Sequence, residues 1–179
     1  MERFPEARPV LRPTPLPRAP ARGLLIVTKA VADRTRAALR AFSGADGRHE
    51  GIVLWAGHRC VDLTVACSSV VPDAEHSRGR VYMDRAAVGR AARAARRAGL
   101  VLVSQVHSHP GSDTRHSDGD DRMILLPFEG MFSVVVAGYG DGSLHPRKGA
   151  GLHQFQDGRW VLVEDAGGAF LVVPAVLHL

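Results

Sequence analysis

Val101-Leu-Val-Ser-Gln-Val-His-Ser-His-Pro-Gly-Ser-Asp-Thr-Arg-His-Ser-Asp-Gly-Asp-Asp121 is the stretch from which the fold can be built outward. Val101 to Val106 is apolar enough to read as a buried strand, and Pro110, with no N–H for a ladder, ends it. His107 and His109, two positions apart at the strand's end, project to the same side and can reach one ion. A polar loop follows, and Ser117-Asp118-Gly119-Asp120 reads as the start of a helix. Asp120 can add a carboxylate to the two imidazoles. That donor set leaves a fourth position for water, the arrangement of catalytic rather than structural zinc.

The same residues admit a plainer account. Ser-x-x-Asp resembles a capping box, in which the serine satisfies a helix-start amide and the acid is favoured by the dipole. His-x-His in a polar loop can simply be solvated. The two accounts are compatible, since Ser117 can cap the helix and also serve the chemistry.

The chain has 179 residues, 45% hydrophobic and 23% charged, which fits one globular domain with a sizeable core. No apolar run approaches the roughly 20 residues needed to cross a bilayer. Pro and Arg interrupt the N-terminus, so no signal-peptide core is expected, and the cytoplasm is the expected location. Cys60 and Cys67 read as two positions of one extended segment, about 23 Å apart and beyond disulfide reach. Reduced, partly buried thiols are expected. The net charge of +5 could favour an acidic partner or nucleic acid. No basic motif interleaved with aromatics accompanies it, so a nucleic-acid partner is not expected.

Residues 1–22 hold six prolines and five arginines and read as an extended arm outside the core, leaving 23–179 as the domain. Residues 23–27 suggest a strand. Residues 30–42 suggest a helix with Val31, Thr35, Ala38, Leu39 and Phe42 on its core face. Glu50 opens the apolar strand Gly51–Gly57; it can be a solvated strand-end acid or a general base on a rigid element. His49 and His58 flank that strand as surface or edge residues.

Residues 60–67 alternate as a further strand, antiparallel to the one before, and 68–80 read as a polar loop. Asp84 can cap an Ala- and Arg-rich helix running to about Gly99. Beyond the His-x-His loop come a short helix over 118–126, a buried strand over 131–138, and a hairpin of 151–156 with 159–164 around Asp157-Gly158. Residues 170–176 suggest an edge strand because of Pro174. Asp118 and Asp121 point away from Asp120, and His145, His153 and His178 have no motif context; Asp113 and His116 lie in the loop, where each can stand behind a metal ligand or, more plainly, be solvated. The order of elements suggests α/β with a mixed sheet.

These residues resemble the JAMM motif of the JAB/MPN metalloprotease family: an upstream Glu, then His-x-His-Pro, six residues, and Ser-x-x-Asp. Here it reads Glu50, His107-Ser108-His109-Pro110, Gly111 to His116, and Ser117-Asp118-Gly119-Asp120. The resemblance spans about residues 24–140. Many members carry Gly and an aromatic before the first motif histidine, where this chain has Ser104-Gln105-Val106.

The resemblance implies a curved, mixed but largely antiparallel sheet flanked by helices. It further implies zinc on His107, His109 and Asp120, Glu50 as acid/base, and Ser117 supporting the tetrahedral intermediate. The compact form is similar to bacterial isopeptidases of ubiquitin-like conjugation operons, including antiphage systems. Its implied partners are therefore a ubiquitin-like protein, its conjugates, and the activating and conjugating enzymes of the same operon. Processing of a ubiquitin-fold sulfur carrier is the alternative within the family, and a non-catalytic MPN scaffold the alternative outside catalysis.

Overall fold

The computed structural model describes residues 15–123 and 127–174. Strand β1 (Arg18–Pro20) and strand β2 (Leu24–Thr28) precede helix α1 (Lys29–Ala41). A small hairpin, β3 (Ser43–Gly44) and β4 (Gly47–Arg48), leads to the long strands β5 (Ile52–Arg59) and β6 (Leu63–Val70). A second hairpin, β7 (Glu75–Ser77) and β8 (Arg80–Tyr82), precedes α2 (Arg85–Arg97) and β9 (Val101–Ser108). Helix α3 (Asp118–Met123), β10 (Phe132–Val136), β11 (Gly151–Gln156), β12 (Arg159–Glu164), α4 (Ala166–Ala169) and β13 (Phe170–Val173) complete the described chain. None of the described helices is long and apolar enough to cross a membrane.

Nine strands form one mixed sheet in the order β1-β12-β11-β10-β9-β5-β6-β2-β13. Strand β9 sits at its centre, antiparallel to β5 and parallel to β10. Val103 to Ser108 are all buried, as expected of a strand covered on both faces. The register with β5 shifts between Trp55 and Ala56, an irregularity of the kind that bends a strand and re-aims its side chains.

Helix α1 covers one face. Thr28 caps it by accepting from Val31 N at 3.3 Å, and Val31, Thr35 and Leu39 are buried at helical spacing. Thr35 also accepts the indole N–H of the fully buried Trp55 at 2.8 Å, which ties the helix to β5. Helix α2 covers β5 and β9 from the other face. Asp84 accepts from Ala87 N at 2.6 Å, and Ala87 and Ala91 join Ile52, Leu54, Val81 and Met83 in one cluster. Alanine at i and i+4 lets the helix approach the sheet closely while its arginines stay outside.

Some expectations from sequence need correction. The end of the Pro/Arg arm is part of the sheet: β1 pairs in parallel with β12, and Leu16 is buried with Met131 and Trp160. Residues 1–14 lie outside the described chain, as do 124–126 of the expected helix and 175–176 of the expected last strand. The expected strand over 60–67 begins at Leu63, because Cys60 N bonds Leu63 O at 2.7 Å and closes a turn. Cys60 therefore lies in that turn, and both thiols are free and exposed rather than partly buried. Part of the expected loop over 68–80 extends β6, and Glu75 to Tyr82 form a hairpin whose Val81 packs under α2. Tertiary contact, not local propensity, makes those strands.

Candidate metal centre

The end of β9 delivers His107, fully buried, and the chain just beyond it delivers His109. The main chain of His109 is held on both sides: its N–H donates to Val136 O at 2.9 Å, and its carbonyl accepts from Tyr139 N at 2.8 Å. The loop then crosses over β11, where Gly151 leaves room for the Thr114 carbonyl that a Cβ would strike. At the start of α3, Ser117 N donates to Asp120 Oδ2 at 2.6 Å and Asp120 N donates to Ser117 Oγ at 3.2 Å. This reciprocal pair is the expected cap, and it turns the Asp120 carboxylate back toward the imidazoles.

Three side chains converge as a result. His107 Nε2 lies 3.2 Å from His109 Nε2 and 3.3 Å from Asp120 Oδ1, while His109 Nε2 lies 3.2 Å from Asp120 Oδ2. The ligand atoms of all three fall within 4.8 Å of one another. His109 Nδ1 sits 2.8 Å from the Asp113 carbonyl, which only accepts. The ring therefore carries its proton on Nδ1, and in the neutral ring Nε2 turns a lone pair toward a carboxylate. Acceptor against acceptor in a buried site calls for a positive charge between them. Two imidazole nitrogens and a carboxylate oxygen suit a divalent ion of borderline softness, so the donors fit the metal they were expected to hold.

The charges agree with this geometry. Burial works against the Asp120 carboxylate, but His107 and His109 outweigh it and hold the group well below the ordinary carboxylate range. Burial likewise works against protonation of His109, and Asp120 outweighs it, so that imidazole is raised.

Glu50 precedes β5 on the neighbouring strand. Gly51 N donates to Ser108 Oγ and Ser108 N donates to Gly51 O, each at 3.0 Å, which clamps the two strand ends together. A Cβ at Gly51 would run into the Phe42 ring. Ile52 pairs with His107 and Gly51 bonds Ser108, so Glu50 and His109 are the next residues along at the same end of the two strands. Glu50 is 7% exposed, so it is not the solvated strand-end acid. Burial pushes its carboxyl up to about 7; His109 opposes the rise and Asp120 adds to it.

A group of buried imidazoles lies beneath the loop. His116 is not the solvated loop residue that was its plainer reading, and His153 had no context in the sequence; both are buried and their rings stack at 4.0 Å. His116 N donates to His153 Nε2 at 3.2 Å. Burial and neighbouring imidazoles hold His116 well below its usual value, and burial pushes His153 down to about 3, so both rings are neutral. Asp113 contributes its carbonyl to His109 while its carboxylate pairs with Arg115 at 2.7 Å. Asp121 meets His116 rather than the metal donors.

His49 also departs from expectation. It is 8% exposed, with Nδ1 2.8 Å from His76 Nδ1 and Nε2 against Asp46, and it helps seat the β7–β8 hairpin beside Glu50. His58 is exposed at the other end of β5, a surface position as expected. His145 lies at the edge of the Phe170 ring, away from the triad, and His178 is outside the described residues.

Comparison with known proteins agrees with this architecture. The family model described as prokaryotic homologs of the JAB domain matches residues 32–146. A protein named "Probable metalloprotease y4jG" from Sinorhizobium fredii (strain NBRC 101917 / NGR234) is 32% identical over 95 residues, covering 51% of this chain and 58% of that relative. The match thus reaches little more than half of the relative's length. Protein DSY2949 from Desulfitobacterium hafniense, solved in solution, superposes with a TM-score of 0.63 at 19% identity, over 86% of this chain and 95% of that one. That likeness is one of fold. With the family model matching well over half of its length, the chain belongs to the prokaryotic JAB-domain family.

Proposed function

We propose that this chain is a zinc-dependent peptidase that cuts at the C-terminal tail of a ubiquitin-like protein, releasing it from a lysine or trimming its precursor. The observation that carries the proposal is the convergence of His107, His109 and Asp120 within 4.8 Å, beside a buried carboxyl at Glu50. His107 Nε2, His109 Nε2 and an Asp120 oxygen would hold the ion. A divalent ion in such a grip lowers the pKa of a coordinated water from 15.7 toward about 7 and polarises a carbonyl.

The chain's own groups do the rest. Glu50, with a carboxyl raised to about 7, accepts a proton near neutrality and returns it to the leaving amine. Ser117 Oγ accepts from Asp120 N, which leaves its O–H to donate to a developing oxyanion. His107 is fully buried and His109 mostly so, which limits the access of bulk water to their nitrogens.

The substrate class is supported by the resemblance to the JAB/MPN enzymes, whose substrates end in a flexible Gly-terminated tail that can lie as an added strand. Activating and conjugating enzymes encoded beside this chain would be its partners. The test is cleavage of linear ubiquitin-like fusions and of lysine-linked conjugates, with and without a chelator. Chelator-sensitive release of the modifier supports the proposal; release that ignores the chelator, or none from either substrate, rejects it.

A further inference from the structure

His116 precedes Ser117 directly, and four interactions fix it. Its Nδ1 lies 3.1 Å from Asp121 Oδ1, its Nε2 lies 2.9 Å from Ser133 Oγ, its main-chain N–H donates to His153 Nε2, and its ring stacks on His153. A carboxylate only accepts, so Nδ1 carries the hydrogen and Nε2 is the acceptor. Ser133 therefore donates to Nε2, and its oxygen accepts from Gln105 Nε2 at 3.0 Å. Gln105, Ser133 and His153 lie across three adjacent strands in register, so the rigid sheet sets the position of the imidazole.

Serine, histidine and aspartate in hydrogen-bonded sequence have the order of a nucleophilic triad. Ser133 and His116 are 0% and 2% exposed, however, and no substrate reaches them. The device must act on something other than a substrate. The next residue along, Ser117, uses its N–H to hold Asp120 Oδ2, and the His107 ring centroid lies 5.6 Å from that of His116.

We infer that His116, locked by Ser133, Asp121 and His153, is a positioning residue that holds Ser117 and Asp120 at the distance from His107 and His109 needed to grip a metal ion. This rests on the metal site proposed above. Partners that stand behind a metal ligand orient it, and their loss typically lowers metal affinity by about 10–100-fold. Here the tuning reaches the carboxylate through one peptide unit.

The test is zinc affinity by competition against a chromogenic chelator, on full-length protein shown to be folded by cooperative melting in chelator. His116→Leu should weaken zinc binding by about 10–100-fold. His116→Asn, whose amide can still donate to Asp121, should recover most of the loss; a residue that merely filled space would show no such recovery. Equal affinity in wild type and His116→Leu, or equal weakening in both variants, overturns the inference while leaving the metal site standing. Should His116→Leu fail to fold, Ser133→Ala decides: several-fold weaker binding supports the inference and unchanged binding overturns it. A wild type that takes up no zinc overturns both.

Discussion

Glu50 and His109 are the residues next beyond the Gly51–Ser108 clamp at one end of the β5–β9 ladder, and their side chains are close enough to interact electrostatically. The arrangement buries a carboxyl beside an imidazole and a second carboxylate, and pushes it up to about 7. Glu50→Gln should keep zinc and the fold while lowering hydrolysis by about 10²–10⁴-fold, the usual cost of losing a proton carrier. Turnover at the wild-type rate, or loss of zinc, would reject that role.

The same carboxyl makes stability depend on pH in the metal-free protein. Its folded value, about 7, lies above the unfolded 4.5, so the native state holds the proton more tightly. Its contribution is fully present below about 4.5 and is lost as pH rises through about 7. At pH 8, in chelator, Glu50→Gln should be more stable than wild type by up to about 3 kcal/mol, and the two should converge near pH 4. Urea unfolding at both pH values reads this directly; a variant less stable at pH 8 contradicts it.

Ser117 has two jobs that can be separated. Ser117→Ala removes the acceptor for Asp120 N and should cost about 1 kcal/mol of stability. It should also reduce turnover by about 10²–10³-fold if the hydroxyl donates to an oxyanion. Ser117→Asn restores a capping oxygen but not the hydroxyl. Recovered melting temperature with turnover still low is the expected pattern.

Thr35→Val tests how α1 is fastened to the sheet. The change keeps the shape and strands the Trp55 indole N–H in a fully buried place. About 1–3 kcal/mol should be lost, read as a lower urea midpoint with an unchanged slope. A loss near zero would show that the indole finds another acceptor.

The elements that could be read from sequence were those whose local chemistry and tertiary role agree. Asp84 caps the helix that follows it, Asp157-Gly158 turns the last hairpin, and His107, His109 and Asp120 come together. The β7–β8 hairpin was not legible, because its polar residues pair only under α2 and beside Glu50. The burial of His116 and His153 was hidden for a related reason. Nothing in Thr-Arg-His-Ser or Gly-Leu-His-Gln marks a histidine as buried until β10 and β11 are placed side by side. Cys60 and Cys67 misled in the other direction, since a thiol is usually buried and these two face outward. Gly138 to Ser143 is turn-rich in sequence, but nothing there says that Tyr139 takes a positive φ of 55° and returns its N–H to His109.

Calorimetric titration of the metal-stripped protein with zinc tests the central claim most directly. One ion per chain should bind to wild type, and none should bind tightly once Asp120 or His107 is replaced by alanine. Titration curves for Asp120→Ala that match wild type in stoichiometry and affinity would contradict the account.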